Sequence, residues 1–456
     1  MKQHEPNLAP ANKPLIAIIG GGYSGMAAAI RVTELGGRAI VYEAARILGG
    51  RARRVDYLDR TLDNGQHILS GAYRELLRLM NVIGLSAKVY DRVPLLLNMP
   101  PDFRLAAPLL PAPLHVAFAL LGAKGLTLAD KFKAIRMMRA LKKSQFSVDN
   151  NWVVATLLRE HKQSPKLIKY LWAPLAVSAL NTPIDKASAQ VFVNVLRDAL
   201  GGAREASDLL LPTVDLTALF PAPAATWVSA HGGEIKLGQR VSAICVDANK
   251  VHISVGDNSS DFEAVDAVVI AVGPHQRTPF QRAISGNNST KPDSTINFQS
   301  ITTLYFGFET PLSLPQPMLG KSAGLAQWFF DRRQLSDRAS DTELIISAVI
   351  SASGPHDEID NDTLTSLVLA ELKEFIPTLP AASWSKVIRE KFATFSCTPN
   401  APRPSLFTAC PLLFLAGDDI ANPLHLYPAT LEAAAQNGVN AANAAMTLFS
   451  IAASST

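Results

Sequence analysis

A short polar run, Asp63-Asn64-Gly65-Gln66-His67, separates an apolar strand from an amphipathic helix predicted over residues 72–83. His67 and Asp63 can exchange protons, and Gln66 can both donate and accept hydrogen bonds. Asn-Gly is also a common reversal signal, so the run could be an ordinary turn. The alternative is that it lies where a cofactor meets its substrate.

A glycine-rich turn near the N-terminus could hold such a cofactor. G-x-G-x-x-G follows an apolar strand, Leu15 to Ile19, and opens an alanine-rich helix, and a second strand ends at an acid, Glu43. Glycines at these positions permit a tight turn, the approach of a pyrophosphate and close helix packing, while the acid binds ribose hydroxyls. The predicted binding set at this turn is Gly20, Gly22, Ser24, Gly25, Glu43 and Ala44. The motif indicates a dinucleotide but does not distinguish NAD from FAD.

The residues after Glu43 narrow the choice of dinucleotide. Arg46 and the run Gly49-Gly50-Arg51 resemble the second motif of a large flavoprotein group that includes amine oxidases, protoporphyrinogen oxidase and phytoene desaturases. In that group the stretch lies along the FAD pyrophosphate, which suits an arginine as counter-charge and glycines that let backbone come close. The resemblance implies FAD as the cofactor, with Gly50 and Arg51 in its site.

Two distant segments also resemble this group. Residues 264–274, AVDAVVIAVGP, resemble its short strand returning to the FAD domain. Residues 412–445 resemble its C-terminal motif, in which an acid hydrogen-bonds the ribityl chain and a helix N-terminus faces the flavin. The resemblance implies these further cofactor-binding residues: Val241, Gly273, Gly417, Asp418, Pro428, Ala429 and Thr430, with Gly65, Gln66 and His67 from the polar run. The sequence contains no second G-x-G-x-x-G and therefore shows no nicotinamide site of its own.

These matches predict an α/β fold in which a Rossmann-like FAD-binding domain of the glutathione-reductase type is interleaved with an α+β substrate domain. A flexible tail is expected over residues 1–13, followed by an FAD-binding domain made of residues 14–90, 212–275 and 395–450. The substrate domain would comprise residues 91–211, largely helical, and residues 276–394. Alternating β-branched and aromatic runs in the latter predict an antiparallel sheet, with the active site at the seam between the domains.

The polar run is also part of a more specific resemblance. Together with residues 171–200, which contain Asn-Thr-Pro and Ala-Ser-Ala, and with residues 209–216, it resembles the squalene-associated branch of the desaturase-like flavoproteins. The nearest family is the bacterial hydroxysqualene dehydroxylase of hopanoid synthesis, which reductively removes the hydroxyl of hydroxysqualene. The resemblance covers residues 15–445 and implies a hydrophobic C30 isoprenoid substrate. It also implies an external reductant for FAD, which the sequence does not identify.

Dehydroxylation of this kind requires an acid beside the hydroxyl, apolar walls and exclusion of bulk water. The hydroxyl carbon is allylic, so a protonated oxygen can leave as water and a hydride from reduced flavin can quench the cation. The candidate acids are His67, Asp63, His425 and Tyr427, with His67 first because its segment should approach the flavin. His67 could equally be a clamp that only hydrogen-bonds loop backbone or flavin.

Other residues in the family-like segments have two interpretations. The run Asn181-Thr182-Pro183 could contact the substrate hydroxyl, although a turn or helix cap is the commoner use of such a run. Trp172 and Phe192 could line an apolar tunnel or belong to an ordinary helix core.

Residues 105–143 suggest contact with a membrane surface. The first part, residues 105–123, carries no formal charge, but three prolines between residues 108 and 113 break any spanning helix. The next helix places four apolar side chains on one stripe: Phe132, Ile135, Met138 and Leu141. Lysines and arginines crowd the rest of that helix, so we expect a protein peripherally associated with the inner membrane. The alternative is a surface helix with its apolar side on the core.

Composition limits other partners and locations. The net charge is only +4 at pH 7, and aromatic residues are not interleaved with basic ones, which argues against nucleic acid. The three cysteines are far apart and form no C-x-x-C pair, so neither a disulfide framework nor a metal site is predicted. The polar first residues do not form a signal peptide, and a reducing, cytoplasmic compartment fits best.

Three other functions fit parts of the pattern. A desaturase of carotenoid precursors shares the fold and a polyisoprenoid substrate but moves hydride from substrate to FAD. An amine oxidase usually places a lysine and paired aromatic residues at the flavin, where this chain offers only Tyr427. A non-enzymatic isoprenoid escort protein does not need a complete FAD site, whereas this chain retains each FAD motif.

Overall fold

The computed structural model describes residues 13–85, 89–247, 250–256, 262–286, 296–335, 343–422 and 426–454. The predicted tail up to residue 12 and the candidate acid His425 lie outside these ranges. The strands are β1 (Leu15–Ile19), β2 (Arg38–Glu43), β3 (Arg54–Tyr57), β4 (Arg60–Asp63), β5 (Leu69–Ser70), β6 (Tyr90–Val93), β7 (Leu96–Met99), β8 (Phe103–Ala106), β9 (Leu209–Pro212), β10 (Glu234–Leu237), β11 (Val241–Val246), β12 (Val251–Val255), β13 (Phe262–Val265), β14 (Ala267–Ile270), β15 (Phe298–Phe308), β16 (Met318–Gly320), β17 (Trp328–Asp331), β18 (Leu344–Ser351), β19 (Trp384–Phe395) and β20 (Leu413–Leu415). The helices are α1 (Tyr23–Glu34), α2 (Glu75–Val82), α3 (Leu114–Leu121), α4 (Leu128–Lys143), α5 (Val154–Glu160), α6 (Pro165–Leu167), α7 (Ala173–Leu180), α8 (Ala189–Leu200), α9 (Leu216–Leu219), α10 (Pro221–Ala230), α11 (Gln281–Ser285), α12 (Asn361–Lys373) and α13 (Leu431–Ser454).

A five-stranded parallel sheet, ordered β10-β2-β1-β14-β20, lies at the centre of the nucleotide-binding part. Ile16 and Ile18 of β1 pack with α1, α10 and α13 on one face of this sheet. Ala17 and Ile19 pack on the other face against the three-stranded antiparallel sheet β11-β12-β13. A strand covered on both faces is apolar at every position, which explains the run LIAII. The predicted α/β fold class is confirmed.

A second five-stranded sheet, ordered β16-β17-β18-β15-β19, is antiparallel, as its sequence predicts. Phe329 of β17 packs with α12 on one face. Its neighbours Trp328 and Phe330 pack on the other face, in a core shared with helices between residues 114 and 200. Side chains of a strand alternate between its faces, so the sheet joins the two inserted parts of the chain. The domain boundaries given above stay a prediction.

The apolar run over residues 264–274 is two strands instead of the one predicted. β13 ends at Val265 in the antiparallel sheet, and β14 begins at Ala267 in the parallel sheet. Asp266, between them, accepts a hydrogen bond from the backbone N–H of Leu15 at 2.7 Å. The polar residue within AVDAVVI therefore marks the point at which the chain passes from one sheet to the other.

Helix α2 begins at Glu75, not at the predicted Ala72. The backbone N–H groups of Arg74, Glu75 and Leu76 donate to the carboxylate of Glu432 at 2.8 to 2.9 Å. Glu432 lies in the first turn of α13, so a distant residue satisfies the N-terminal donors that a helix leaves open. This tertiary cap fixes where α2 starts.

The uncharged segment over residues 105–123 is interrupted by its prolines, as predicted. After Pro113 it contains α3, which has eight residues. Within the described ranges, no helix is both long and apolar enough to cross a membrane.

Helix α4 packs Ile135, Met138 and Leu141 of the predicted stripe against the core, but not Phe132. Leu141 is buried, but Phe132 is 64% exposed. Its most buried side chains after the first turn are Lys131, Ala134, Met137 and Leu141. The ammonium group of Lys131 donates to the carbonyl of Leu121 at 2.6 Å. A lysine can be buried in this way because its stem is apolar and its charged end finds an acceptor.

Candidate active site

A large cavity, about 1020 Å³ in volume, extends from the turn after β1 to the space between α7, α8 and the five-stranded antiparallel sheet. Most of the predicted site residues line it: Gly20, Gly22, Ser24, Glu43, Ala44, Gly50, Arg51, Gly65, Gln66, His67, Val241, Gly273, Gly417, Asp418, Tyr427, Pro428, Ala429 and Thr430. Gly25 and Asp63 do not line it. The fold therefore brings residues from every predicted motif to one cavity.

The glycine turn has the geometry expected of a phosphate-binding loop. Gly20 has a φ of +109°, and a Cβ atom at Gly25 would lie 1.9 Å from the Gly20 carbonyl oxygen. Gly25 is therefore needed for packing of α1 against the turn, which explains why it does not reach the cavity. Gly22 precedes α1 and provides no side-chain cap, so the first backbone donors of the helix remain available to an anion.

Ser24 and Glu43 lie beside this turn. The Ser24 hydroxyl is buried, lines the cavity and has no hydrogen-bond partner among the described residues. The Glu43 carboxylate accepts hydrogen bonds from the backbone N–H groups of Gly21 and Ala45, each at 2.7 Å. An unpartnered hydroxyl at a helix start and an acid fixed at the end of β2 suit the phosphate and ribose of a dinucleotide.

Arg51 brings a positive charge into the cavity. Its guanidinium donates to the Ala393 carbonyl at 2.8 Å and forms an ion pair with Asp418, which lies just after Gly417. Both side chains of the pair line the cavity. The arginine can serve as counter-charge to a pyrophosphate, and the carboxylate can accept a hydrogen bond from a polyol.

A second ion pair supports this corner of the cavity, and sequence reasoning missed it. Arg277 and Asp419 are both buried, and two guanidinium nitrogens lie 2.6 and 2.9 Å from the carboxylate oxygens. Arg277 also donates to the Ala416 carbonyl at 3.3 Å. The pair ties the turn after β14 to the turn after β20. The repeated acid in the sequence Gly417-Asp418-Asp419 was the available signal.

His67 is held neutral with its proton on a defined nitrogen. Its Nδ1 lies 2.8 Å from the Gly65 carbonyl oxygen, which can only accept, so Nδ1 carries the hydrogen. Burial lowers the pKa of His67 below its ordinary value, and the positive charge of Arg51 lowers it further, against the effect of the Gly65 hydrogen bond. Nε2 of the neutral ring is then an acceptor.

The neighbours of His67 have defined partners too. The amide oxygen of Gln66 accepts from the Ser347 hydroxyl at 3.1 Å. The Asn64 amide donates to the Arg51 carbonyl at 3.0 Å and to the Glu390 carboxylate at 2.9 Å. Asn64 and Glu390 also line the cavity, although the sequence suggested only a turn role for Asn64 and none for Glu390.

Asp63 occupies a structural position. Its carboxylate accepts a hydrogen bond from the backbone N–H of Leu216 at 2.8 Å, and its own carbonyl accepts from the Tyr305 hydroxyl at 3.1 Å. It is buried at the end of β4, behind the residues that form the cavity wall. This placement favours a role in holding the polar run, not in proton transfer.

Tyr427 also lines the cavity. Burial raises the pKa of its phenol, and the negative charge of Asp198 raises it further, so the hydroxyl stays protonated. The adjoining loop is held by the amide of Asn194, which donates to the Leu426 carbonyl at 3.1 Å. Tyr427 therefore contributes a neutral phenol to the lining of the cavity.

Asn181 lines the cavity but its side chain is used within the protein. Its amide nitrogen donates to the Ser300 carbonyl at 3.2 Å and to the Thr394 hydroxyl at 3.0 Å, and its oxygen accepts from Ala352 N–H at 2.6 Å. Asn181 also ends α7 with a φ of +44°. The Asn-Thr-Pro run is thus a helix cap tied to the antiparallel sheet.

The far end of the cavity is apolar. Its walls are contributed by α7, α8 and the antiparallel sheet, and include Leu175, Ala179, Phe192, Val195, Leu196, Ile301, Phe330 and Val349. The indole N–H of Trp328, which also lines this end, donates to the Ser178 hydroxyl at 2.9 Å. Of the two predicted tunnel residues, Phe192 lines the cavity and Trp172 does not. The indole N–H of Trp172 donates instead to the side-chain oxygen of Gln163. Such a surface suits a long hydrocarbon.

Comparison with known proteins agrees with this architecture. The family model for flavin containing amine oxidoreductases matches residues 23–446. The chain belongs to the flavin-containing amine oxidoreductase family. Among solved structures, an oxidoreductase from Methanosarcina mazei has a TM-score of 0.72 at 17% identity, over 93% of this chain and 99% of that one, and supports the fold.

Two curated relatives resemble this chain over nearly its whole length. A hydroxysqualene dehydroxylase from Zymomonas mobilis is 26% identical over 441 residues, which is 94% of this chain and 98% of the relative. A probable zeta-carotene desaturase from Synechococcus elongatus is 22% identical over 499 residues, covering 96% of this chain and all of the relative (100%). The chain is an FAD-dependent oxidoreductase related to enzymes of polyisoprenoid metabolism, as the sequence predicts.

The residues present fit FAD. The glycine turn and the unpartnered Ser24 hydroxyl suit the pyrophosphate, Glu43 suits the adenosine ribose, and Asp418 suits the ribityl chain. The residue-by-residue assignments stay predictions, but their positions around one cavity are those that a dinucleotide requires.

Proposed function

We propose that this protein reductively removes the hydroxyl group of hydroxysqualene to give squalene, as part of bacterial squalene supply for hopanoid synthesis. The observation that carries the proposal is the continuity of the cavity, which joins a dinucleotide site to apolar walls on α7, α8 and the antiparallel sheet. The similarity to hydroxysqualene dehydroxylases over nearly the whole chain supports the same substrate class.

The reaction balances without a further reactant. Hydroxysqualene and reduced FAD give squalene, water and oxidised FAD, with one C–O bond broken and one C–H bond formed. Bound, reduced FAD supplies the two electrons and the hydrogen that replaces the hydroxyl. The remaining requirements fall on the protein: it must bind the hydrocarbon, exclude water and donate a hydrogen bond or proton to the departing hydroxyl.

We assign Tyr427 as this donor because it lines the cavity. Burial raises the pKa of its phenol, so it is suited to donating a hydrogen bond to the departing hydroxyl more than to releasing a free proton. His67 is unsuited to this step because its lowered pKa leaves it neutral and its hydrogen is bonded to the Gly65 carbonyl. We assign His67 instead as a positioning residue whose Nε2 accepts a hydrogen bond at the cavity.

The proposed reaction can be separated from carotenoid desaturation by supplying each substrate with the matching redox partner. Purified protein is incubated with hydroxysqualene and dithionite under nitrogen, and separately with zeta-carotene and a quinone acceptor. Extracts are analysed by gas chromatography or liquid chromatography with mass spectrometry. We expect squalene in the first reaction and unchanged carotene in the second. Carotene desaturation, or an FAD-loaded protein that forms no squalene, would contradict the proposal.

A further inference from the structure

Exposed apolar side chains are concentrated in one part of the molecule. Six of the fifteen exposed large hydrophobic side chains among the described residues fall between residues 109 and 132. They are Leu109, Leu114, Phe118, Leu121, Leu128 and Phe132. Phe118 and Phe132 are 53% and 64% exposed. Isolated exposed leucines are ordinary, but a cluster of this kind marks a site of interaction.

Five of the six side chains lie on α3 and α4, two helices that are joined by residues 122–127. Leu114, Phe118 and Leu121 are spaced four and three residues apart, so they share one stripe of α3. Leu128 and Phe132 share a stripe on the first turns of α4. The bond from Lys131 to the Leu121 carbonyl holds those first turns against the last turn of α3.

The exposed stripe of α4 continues as positive charge. With about 3.6 residues per turn, Arg136, Arg139 and Lys143 follow Leu128 and Phe132 along one side of the helix. All three are exposed, and none forms an ion pair with a carboxylate in the described part of the chain.

The segment that carries these side chains contains few acidic residues. Between residues 103 and 143 the one acidic residue is Asp130, which is buried and forms a capping box with Thr127 at the start of α4. Exposed cations also flank the apolar side chains at Lys124 and Lys133. The surface therefore combines apolar side chains with an excess of positive charge, and the exposed acid that lies next to this segment in the sequence is Asp102.

We propose that the six apolar side chains and the cationic end of α4 form a docking surface for an anionic phospholipid bilayer. The apolar side chains would enter the boundary between headgroups and acyl chains, while the arginines and lysines contact phosphates. Charge complementarity argues for this partner, because exposed cations greatly outnumber exposed carboxylates in the segment that carries the surface. The binding does not depend on which polyisoprenoid reaction the enzyme performs.

The docking surface lies next to the cavity. His115, on the inner side of α3, has its Nε2 3.1 Å from the Ser207 hydroxyl, and Ser207 is part of the cavity wall. The buried side of α3 also shares a core with Phe192 and Trp328, which line the apolar end. If the proposed function holds, this placement brings the apolar end of the cavity close to the layer in which the substrate dissolves.

Flotation with vesicles tests the proposal on the full-length, FAD-loaded protein. Vesicles contain either equimolar phosphatidylglycerol and phosphatidylcholine or phosphatidylcholine alone. We expect binding to the anionic vesicles that weakens with added salt, since headgroup charges are screened within about 10 Å. Phe118→Ser combined with Phe132→Ser should lower the partition coefficient at least about tenfold, and Arg136→Glu combined with Arg139→Glu should do the same.

Matched controls come from another exposed helix, α12. Leu367 is 44% exposed there, and Lys373 is an exposed cation in its last turn, so Leu367→Ser and Lys373→Glu should leave the partition unchanged. Bound FAD reports that each variant is folded. Wild-type protein that does not float with anionic vesicles would overturn the proposal. Surface variants that bind anionic vesicles as well as the wild type does would also overturn it. If such variants change the protein from a dimer to a monomer on gel filtration, the surface serves self-association and not membrane binding.

Discussion

His67 and Tyr427 line the same cavity, and both are neutral, but burial shifts their pKa values in opposite directions. The lowered pKa of His67 and its bond to the Gly65 carbonyl make it a neutral ring with an accepting nitrogen, whereas the raised pKa of Tyr427 keeps its hydroxyl as a donor. The sequence placed both residues near the flavin motifs. It could not show which one carries a usable proton, because that depends on burial and on the charges of Arg51 and Asp198.

The contrast predicts unequal effects of two substitutions on single-turnover flavin oxidation by hydroxysqualene. Tyr427→Phe removes the donor and should slow the reaction by about a hundredfold or more, the usual contribution of a general acid. His67→Gln should slow it by less than about tenfold, since a polar acceptor remains in place. Stopped-flow absorbance on protein with equal FAD content measures both. A greater loss in His67→Gln than in Tyr427→Phe would reverse the assignment.

The lowered pKa of His67 also predicts a dependence of stability on pH. In the unfolded chain the imidazole binds a proton near pH 6.5, whereas in the folded protein it resists protonation until a lower pH. The unfolded state therefore binds more protons in this interval, so the free energy of unfolding falls as pH decreases below about 6.5. His67→Gln should reduce this slope in chemical denaturation between about pH 5 and 7.5. The exposed His231→Gln is the control, and an unchanged slope in His67→Gln would contradict the burial argument.

At the scale of elements, most of what positions the site was visible in the sequence. The strand from Leu15 to Ile19, the glycine turn and the antiparallel runs carry local patterns, and each formed as predicted. The start of α2 and the burial of Lys131 in α4 did not follow from local pattern. Both depend on partners far along the chain or on a neighbouring helix, namely Glu432 for α2 and the Leu121 carbonyl for α4.

The tertiary cap on α2 yields a prediction about Glu432. Its carboxylate accepts three backbone hydrogen bonds at a helix N-terminus, where a negative charge is also favoured by the helix dipole. Glu432→Ala leaves these donors without a partner and should lower the free energy of unfolding by about 3 kcal/mol. Glu374→Ala, which removes only an exposed pair with Lys321, should cost less than about 1 kcal/mol. Chemical denaturation compares the two variants, and equal losses would contradict the cap.

Hydrogen exchange shows which part of the chain loses stability when Glu432 is replaced. In Glu432→Ala, the amides of residues 75–82 should exchange faster than in the wild type, because α2 loses its fixed start. In the five-stranded antiparallel sheet, exchange should become faster only by as much as the lower free energy of unfolding of the whole protein requires. Uniform loss of protection across the chain would instead indicate a general destabilisation.

At the scale of the whole molecule, the cavity is the feature that no single motif could predict. Its dinucleotide end is built from segments that resemble known FAD motifs, so the sequence identified residues of that lining from each segment but not Glu390 or Asp419. Its apolar end is built from α7, α8 and the antiparallel sheet, whose residues look like ordinary core in the sequence. Only the packing of the inserted parts on one another leaves their side chains around an open space.

The central claim is that both ends of this cavity take part in one reaction, in which electrons from FAD reduce a polyisoprenoid alcohol. The most direct test is a single anaerobic turnover. FAD bound to the protein is photoreduced, hydroxysqualene is added, and flavin absorbance and squalene are followed together. We predict that flavin reoxidises and that squalene forms in equal amount. Reoxidation without squalene, or reduced flavin that persists in the presence of hydroxysqualene, would contradict the account.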